Sequence, residues 1–317
     1  MTSDSQSKQN TLNVQELIQQ KKSKKSLSAK FEKLIPSILF LFAMISILTT
    51  IGIIYTLFSE TIEFFKTVPI SDFFTGTTLK PLSQNPEFGI FPLINGTIMS
   101  SLIAMLVAGP IGIMAAIYLS EYASDKARRT LKPLLEVLAG IPTIVYGFFA
   151  FTFVTPILRS IWPAVDATNI LSPGIVMGVM IIPMIASLSE DAMSSVPNSI
   201  REGAFALGAT KLESTFKVVI PGALSGIIAS FILGISRAIG ETMIVTIASG
   251  SSKNFTFDVT ESMQTMTAYI VEVAGGEAPA GSTIYFSLYA VAMTLFVFTL
   301  LMNLLARYVS RKFREEY

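Results

Sequence analysis

Two ionisable residues interrupt an otherwise apolar run, Gly234-Ile235-Ser236-Arg237-Ala238-Ile239-Gly240-Glu241-Thr242-Met243. A guanidinium presents a planar fork of donors that matches an oxyanion, and a nearby carboxylate can hold or release it. The i,i+4 spacing predicts that both side chains share one helical face. Sixteen residues separate Pro221 from Arg237, about 24 Å of helix, which puts the arginine near or past the middle of a bilayer. An arginine at that depth costs at least ~2.5 kcal/mol and so faces protein or water. Two readings follow: a structural ion pair that ties helices together, or an anion site or gate. With no His and no Cys in the chain, imidazole catalysis, thiolate chemistry and most zinc sites are excluded; no metal site and no cofactor is expected.

A second pattern lies between two apolar runs. Arg201-Glu202-Gly203-Ala204 is followed by Gly208 and then by Val218-Val219-Ile220-Pro221. An acidic residue, two small residues, a glycine four positions on and a hydrophobic-X-hydrophobic-Pro ending resemble the EAA coupling loop of ABC-importer membrane subunits. Gly203 stands where alanine is usual. The resemblance implies that Glu202, Gly203, Ala204, Gly208 and Pro221 belong to a loop, about 191–220, gripped by a separate ATPase. An ordinary helix end and helix start would also place a glycine and a proline there.

The elements that must position these residues are membrane spans. The 317 residues are 51% hydrophobic and 14% charged, with mean hydropathy +0.60, against about 25% charged in soluble domains. Six continuous apolar runs, 34–58, 91–119, 133–158, 172–190, 221–249 and 284–306, are long enough to cross a bilayer as helices. The expected fold is an all-α integral membrane protein of six transmembrane helices. The first run is too long for a signal-peptide core and no cleavage site follows it, so it reads as a retained helix.

Basic residues set the orientation. With the N-terminus inside, 18 of the 23 fall on the inner side, in the 1–33 tail, the second and fourth connections and the C-terminal tail. Lys66, Lys80, Arg159 and Lys253 fall outside, and Arg237 lies within a span. Both termini are expected in the cytoplasm. The basic residues form no clustered face for nucleic acid. Residues 12–18 carry a weak helical pattern, but the tail reads as disordered.

Two segments, 59–90 and 250–283, are expected outside, the first as a cap and the second with a short helix near 263–273 at the membrane surface. Small residues recur every four positions at Ala104, Ala108, Gly112, Ala116 and Ser120, and at Gly222, Gly226, Ser230, Gly234 and Ala238. That spacing lets helices approach closely within one subunit. Pro110, Pro142, Pro156 and Pro183 are expected to kink their spans.

From 91 to 310 the chain resembles the membrane subunit of bacterial phosphate ABC importers. Gly140-Ile141-Pro142-Thr143-Ile144-Val145-Tyr146-Gly147 is similar to that family's third-span motif, and Ser236 to Met243 resembles the phosphate group, favouring the PstC type over its PstA partner. The resemblance implies a type I ABC-importer permease core over 91–317 in the bacterial inner membrane. It places Arg237, Glu241 and Thr242 on the phosphate pathway. It also implies partners: a second homologous permease in a heterodimer, two cytoplasmic ATPase subunits, an external phosphate-binding protein, and membrane lipid. The chain itself has no Gly-x-x-x-x-Gly-Lys-Ser/Thr sequence, so ATP hydrolysis falls to the partner. Alternatives are a permease for molybdate or sulfate, an ion-coupled anion carrier, which has no use for the 202–221 pattern, and an intramembrane enzyme, which the missing His and Cys disfavour.

Overall fold

The computed structural model describes residues 3–312, with side chains described from Leu34 to Arg311 except Glu277 and Ser310. Arg314, counted above in the C-terminal tail, lies outside the described residues. The chain divides into two units, 1–58 and 59–317.

The first unit is one helix, the greater part of α1 (Ser3–Thr67). The tail expected to be disordered is helical, in keeping with its Leu, Gln, Glu and Lys content and the absence of Gly and Pro before Pro36. From Leu34 the helix is apolar enough to span, and Leu39, Phe40, Leu41 and Phe42 are all exposed, as suits a helix solvated by lipid.

The second unit begins with an aromatic cap. After α1 come α2 (Ile70–Thr75) and a two-stranded antiparallel ribbon, β1 (Leu79–Lys80) on β2 (Glu87–Phe88). Phe64 packs edge-on against Phe73 and Phe88, with ring centroids 5.4 Å apart in each pair. A Cβ on Gly76 would come within 2.8 Å of the Gly89 Cα, so both glycines let the two strands of chain meet.

The spans follow. α3 (Phe91–Ile117) runs into a wide π-type turn, Tyr118–Tyr122. α4 (Asp125–Ala139) is a separate amphipathic helix capped by Ser124. The next span is α5 (Thr143–Phe149), a wide turn and α6 (Thr155–Ile161), covering Thr143–Ile161. This corrects the run 133–158: Gly140 caps the end of α4 and Pro142 caps the start of α5, and the apolar stripe of α4 had merged with the true span. At 19 residues it is also the shortest, whereas α7 (Leu171–Ser194) has 24. Pro142 therefore stands at a helix start, Pro156 lies inside its span just after the wide turn, and Pro110 and Pro183 lie inside α3 and α7.

The chain then forms α8 (Asn198–Ala206), α9 (Lys211–Ser214), a wide turn and α10 (Ile220–Gly222). α11 (Leu224–Ile239) leaves that segment at a 70° bend. α12 (Met243–Ala248), α13 (Met266–Glu272) and α14 (Thr283–Lys312) complete the unit. Five helices are long and apolar enough to span, six if the pair bent by 70°, of which α11 is the longer arm, is counted as one.

α7 is the hub. A Cβ on Gly112 of α3 would sit 2.8 Å from Ile185, and one on Gly234 of α11 would sit 3.2 Å from it. Ala104, Ala108, Met177, Ile181 and Ile185 share one core cluster. The small-residue stripes thus serve packing within the subunit. The helix expected near 263–273 exists, but it is buried rather than laid on a surface. Tyr269 is fully enclosed against Phe64, Leu93 and Ala290, because its ring and those of the cap supply a common apolar core.

Candidate functional site: a pinned surface helix and a broken span

The 191–220 loop is built around α8, which buries none of its residues. Gly208 adopts φ +87°, and a Cβ there would meet nothing within 4 Å. Its N–H donates to Phe205 O at 2.9 Å, and Ala209 N–H donates to Ala204 O at 3.0 Å. These two bonds are a Schellman turn, in which a left-handed residue stands four positions after the carbonyl that accepts the longer bond. The Ala204-to-Gly208 spacing is therefore the spacing of a helix stop. Thr210 and Glu213 then form a reciprocal cap that starts α9. The Thr210 backbone N–H and hydroxyl, with Lys217, hold the Glu213 carboxyl below its usual range. The contribution of that cap is present above the ordinary carboxylate pKa and is lost as pH falls through the lowered one.

Arg201 anchors this loop. Its Nη1 donates to Val196 O at 2.5 Å and its Nη2 to Met193 O at 2.7 Å and Glu121 Oε1 at 3.1 Å. One guanidinium joins α8 to the ends of α3 and α7. Glu202 and Gly203 face outward. Beside them Phe205, Leu207, Leu212 and Phe216 are exposed, Leu207 at 91%. Apolar side chains clustered on a non-spanning surface mark a docking face. Pro221 sits in the first turn of α10, just before the bend.

A second anchor escaped the sequence reading. Glu190, 0% exposed, pairs with Arg128 and with Lys132 at 2.7 Å, and Lys132 also reaches Asp191 at 2.6 Å. The Ser194 hydroxyl donates to Glu190 at 3.0 Å. Burial opposes the charge on Lys132, but the bonds to Asp191 and Glu190 outweigh it and raise its pKa above the usual lysine value. The signal was available: Arg128 and Lys132 are i,i+4 on one face of α4, and Glu190-Asp191 ends an apolar run. Replacing Glu190 by Gln is expected to destabilise the protein by about 3 kcal/mol, the low end for breaking a buried pair, because Arg128 and Lys132 are partly solvated. Thermal unfolding of the purified protein checks this; an unchanged midpoint would mean that the clamp holds nothing.

The charged segment departs from the expected helical face. α11 ends at Ile239, Gly240 caps it, and α12 restarts at Met243. Arg237 and Glu241 are thus on opposite sides of a break, and no ion pair joins them. Arg237 lies about 20 Å along α11, which starts after the 70° bend rather than at Pro221. Glu241, 9% exposed, turns inward. Its Oε1 accepts from the backbone N–H of Met243 at 3.0 Å and of Ile244 at 3.4 Å. Its carbonyl accepts from Thr267 Oγ1 at 2.7 Å. Two freed helix donors thereby satisfy a buried carboxylate. Arg237 is exposed and has no hydrogen-bond or ionic partner among the described residues. Thr242 is half-buried, its hydroxyl 3.3 Å from Gly240 O. The structure thus brings Glu241 and Thr242 together at the break and leaves the guanidinium of Arg237 open.

Gly147 of the third-span motif packs on this break. A Cβ there would lie 3.1 Å from Met243 O and 2.9 Å from Ile247. Only a glycine lets α5 approach α12 so closely, so two motifs distant in sequence form one packing unit. Among the described residues, no group of acidic side chains could hold a metal ion.

Spans α3, α5 and α11 packed on α7, a pinned surface loop and a broken fifth span define the membrane subunit of an importer. Residues 108–315 match the family described as "Binding-protein-dependent transport system inner membrane component", and the chain belongs to it. It is 34% identical over 241 residues to the probable ABC transporter permease protein YqgH of Bacillus subtilis, covering 76% of this chain and 78% of that one. It is 32% identical over 277 residues to the phosphate transport system permease protein PstC of Mesorhizobium japonicum, covering 81% and 83%. Among solved structures it matches a chain of a bacterial ABC transporter that imports the acidic polysaccharide alginate, with TM-score 0.60, 18% identity and coverage of 90% and 100%. A chain of the MetNI methionine ABC transporter in inward-facing form matches at TM-score 0.54 and 17% identity, over 72% and 95%. These structures establish the type I importer permease fold. The chain is a multi-pass membrane subunit of an ABC importer, not an enzyme.

Proposed function

We propose that this chain is the PstC-type membrane subunit of an ATP-driven phosphate importer. It forms half of the translocation pathway with a second, homologous permease subunit. Two cytoplasmic ATPase subunits bind the 191–220 loop, and an external phosphate-binding protein delivers inorganic phosphate. The observation that carries the reading is the open guanidinium of Arg237 beside a broken span, on a subunit that also exposes an apolar face around α8. Both termini lie in the cytoplasm, which puts that loop within reach of the ATPase.

The geometry suggests how motion is transmitted. When the ATPase pair closes, it displaces α8. Arg201 carries the displacement to the ends of α3 and α7 through Glu121, Met193 and Val196. The break at Gly240–Thr242 lets α12 move relative to α11, which changes which side of the membrane Arg237 faces. A phosphate then exchanges water for the guanidinium fork.

The test is uptake in proteoliposomes holding the complete complex. Phosphate uptake is expected to require ATP and the partner ATPase and to resist competition by molybdate and sulfate. Uptake driven by an ion gradient without the ATPase would make the chain a secondary carrier, and preference for molybdate or sulfate would change the substrate. Orientation is read separately. An impermeant thiol reagent is expected to label Ser83→Cys and Asn254→Cys in intact cells and to spare Lys211→Cys; labelling of position 211 would invert the topology. No native cysteine interferes.

A further inference from the structure

A cavity of about 620 Å³ opens between α11 and α14, with no lining residue from the 191–220 loop or from the break at Gly240–Thr242. Its walls are Ile232 and Leu233 from α11 and Leu300 and Leu304 from α14. Arg307 and Arg311, one helical turn apart, stand at one end. Both are exposed, and neither has an ionic or hydrogen-bond partner among the described residues. Leu233, Leu300 and Leu304 are about half exposed, so the apolar walls are open rather than filled.

From Leu300 to Arg311 is about 16 Å of helix, close to the ~15 Å depth of one hydrocarbon leaflet. Along that depth the groove is lined by Ala, Ile and Leu with one polar side chain, Asn303, and it is cationic at one end. Asn303 Oδ1 accepts from Ser236 Oγ at 3.1 Å, a bridge that ties α11 to α14 and satisfies that polar group. A soluble anion would find no reason for the apolar walls, and an apolar protein segment would leave two arginines unpaired at its end. A molecule with an acyl chain and a phosphate head matches both features. Basic pockets between spans on the cytoplasmic side suit anionic headgroups, and the long arginine side chains reach the interface from helix ends.

We propose that this groove is a binding site for an anionic phospholipid of the inner leaflet, its acyl chain along α11 and α14 and its phosphate on Arg307 and Arg311. The assignment of the leaflet rests on the orientation proposed above, which the thiol-labelling experiment reports independently. The site is separate from the phosphate pathway at Arg237, since its lining residues include none of Arg237, Glu241 or Thr242.

The intact importer complex, purified and exchanged into nanodiscs, gives the test by native mass spectrometry. The probes are phosphatidylglycerol and phosphatidylcholine of the same acyl length. Phosphatidylglycerol is expected to remain bound at least tenfold more than phosphatidylcholine. Changing Arg307→Gln and Arg311→Gln together should remove that preference, and the double Lys variant, which keeps both charges, should retain it. Leu233→Trp fills the groove with the arginines intact and should also expel the lipid, so misfolding of one variant does not decide the matter. Equal retention of the two lipids, or unchanged binding in the Gln and Trp variants, would overturn the site. So would displacement of phosphatidylglycerol by millimolar inorganic phosphate, which would mark a free-anion site, or a cross-link from Leu304→Cys to the second permease, which would show protein covering the groove.

Discussion

Replacing Gly208 by tryptophan is expected to reduce phosphate uptake to less than about a tenth of its normal rate while the subunit still inserts and folds. The backbone there has φ +87° and closes a Schellman turn with Phe205 and Ala204. A residue with a Cβ in this conformation costs of order 1–3 kcal/mol, too little to unfold the spans, whose core clusters contain no residue of this turn. Nothing lies within 4 Å of a Cβ at this point, so the side chain starts out into open space. Its sequence neighbours Leu207, Leu212 and Phe216 are exposed, on the loop where the ATPase is proposed to sit. A graded series separates the two effects. Asn tolerates left-handed backbone and is expected to retain most uptake; Ala should fall between; Leu and Trp should abolish it. ATPase copurification should decline in the same order while subunit yield in the membrane holds. Full uptake with Trp, at normal ATPase yield, would remove the coupling role of this turn.

Much of this architecture can be read from the sequence, and the misreadings share a cause. Apolar runs locate the spans because bilayer thickness fixes their length. They do not reveal breaks, since the residues on either side of a break are equally apolar. Leu134, Leu135, Val137 and Leu138 belong to the amphipathic α4, yet they run straight into the following span in sequence. Gly140 and Pro142 mark that boundary, and hydropathy outweighed them. The same happened at Gly240-Glu241-Thr242, where a glycine stop precedes cap-forming residues. The i,i+4 argument for Arg237 and Glu241 assumed a continuous helix, and it fails because Gly240 ends it. Pairing across sequence was only half legible: local patterns put Arg128 and Lys132 on one face and Glu190 at the end of an apolar run, but they do not say that these meet, or that Arg201 reaches Glu121. By contrast, the small-residue stripes and the Ala204–Gly208 spacing have local physical causes, and they appear in the structure as read.

Arg237→Gln is expected to lower phosphate uptake about 10- to 100-fold, the loss of a hydrogen bond to a charged group being worth about 1.5–3 kcal/mol, with normal yield of the assembled complex. Arg237→Lys keeps the charge but loses the fork, and a smaller, still strong, loss is expected. The structure separates this from the ion-pair alternative. In an ion pair, removing the arginine would strand a buried carboxylate and damage folding. Here Glu241 is already satisfied by the N–H groups of Met243 and Ile244, and the guanidinium is exposed without a partner among the described residues. Removing the arginine leaves nothing unpaired inside the subunit. The double change Arg237→Gln with Glu241→Gln is therefore expected not to rescue uptake. It should also be less stable than Arg237→Gln alone, because a neutral amide caps the start of α12 less strongly than a carboxylate does. Complex yield, thermal midpoint and uptake of the two single variants and the double decide the case. If the double variant regained yield that Arg237→Gln had lost, a structural pair would be established. Normal uptake by a fully assembled Arg237→Gln complex would exclude this arginine from the phosphate pathway.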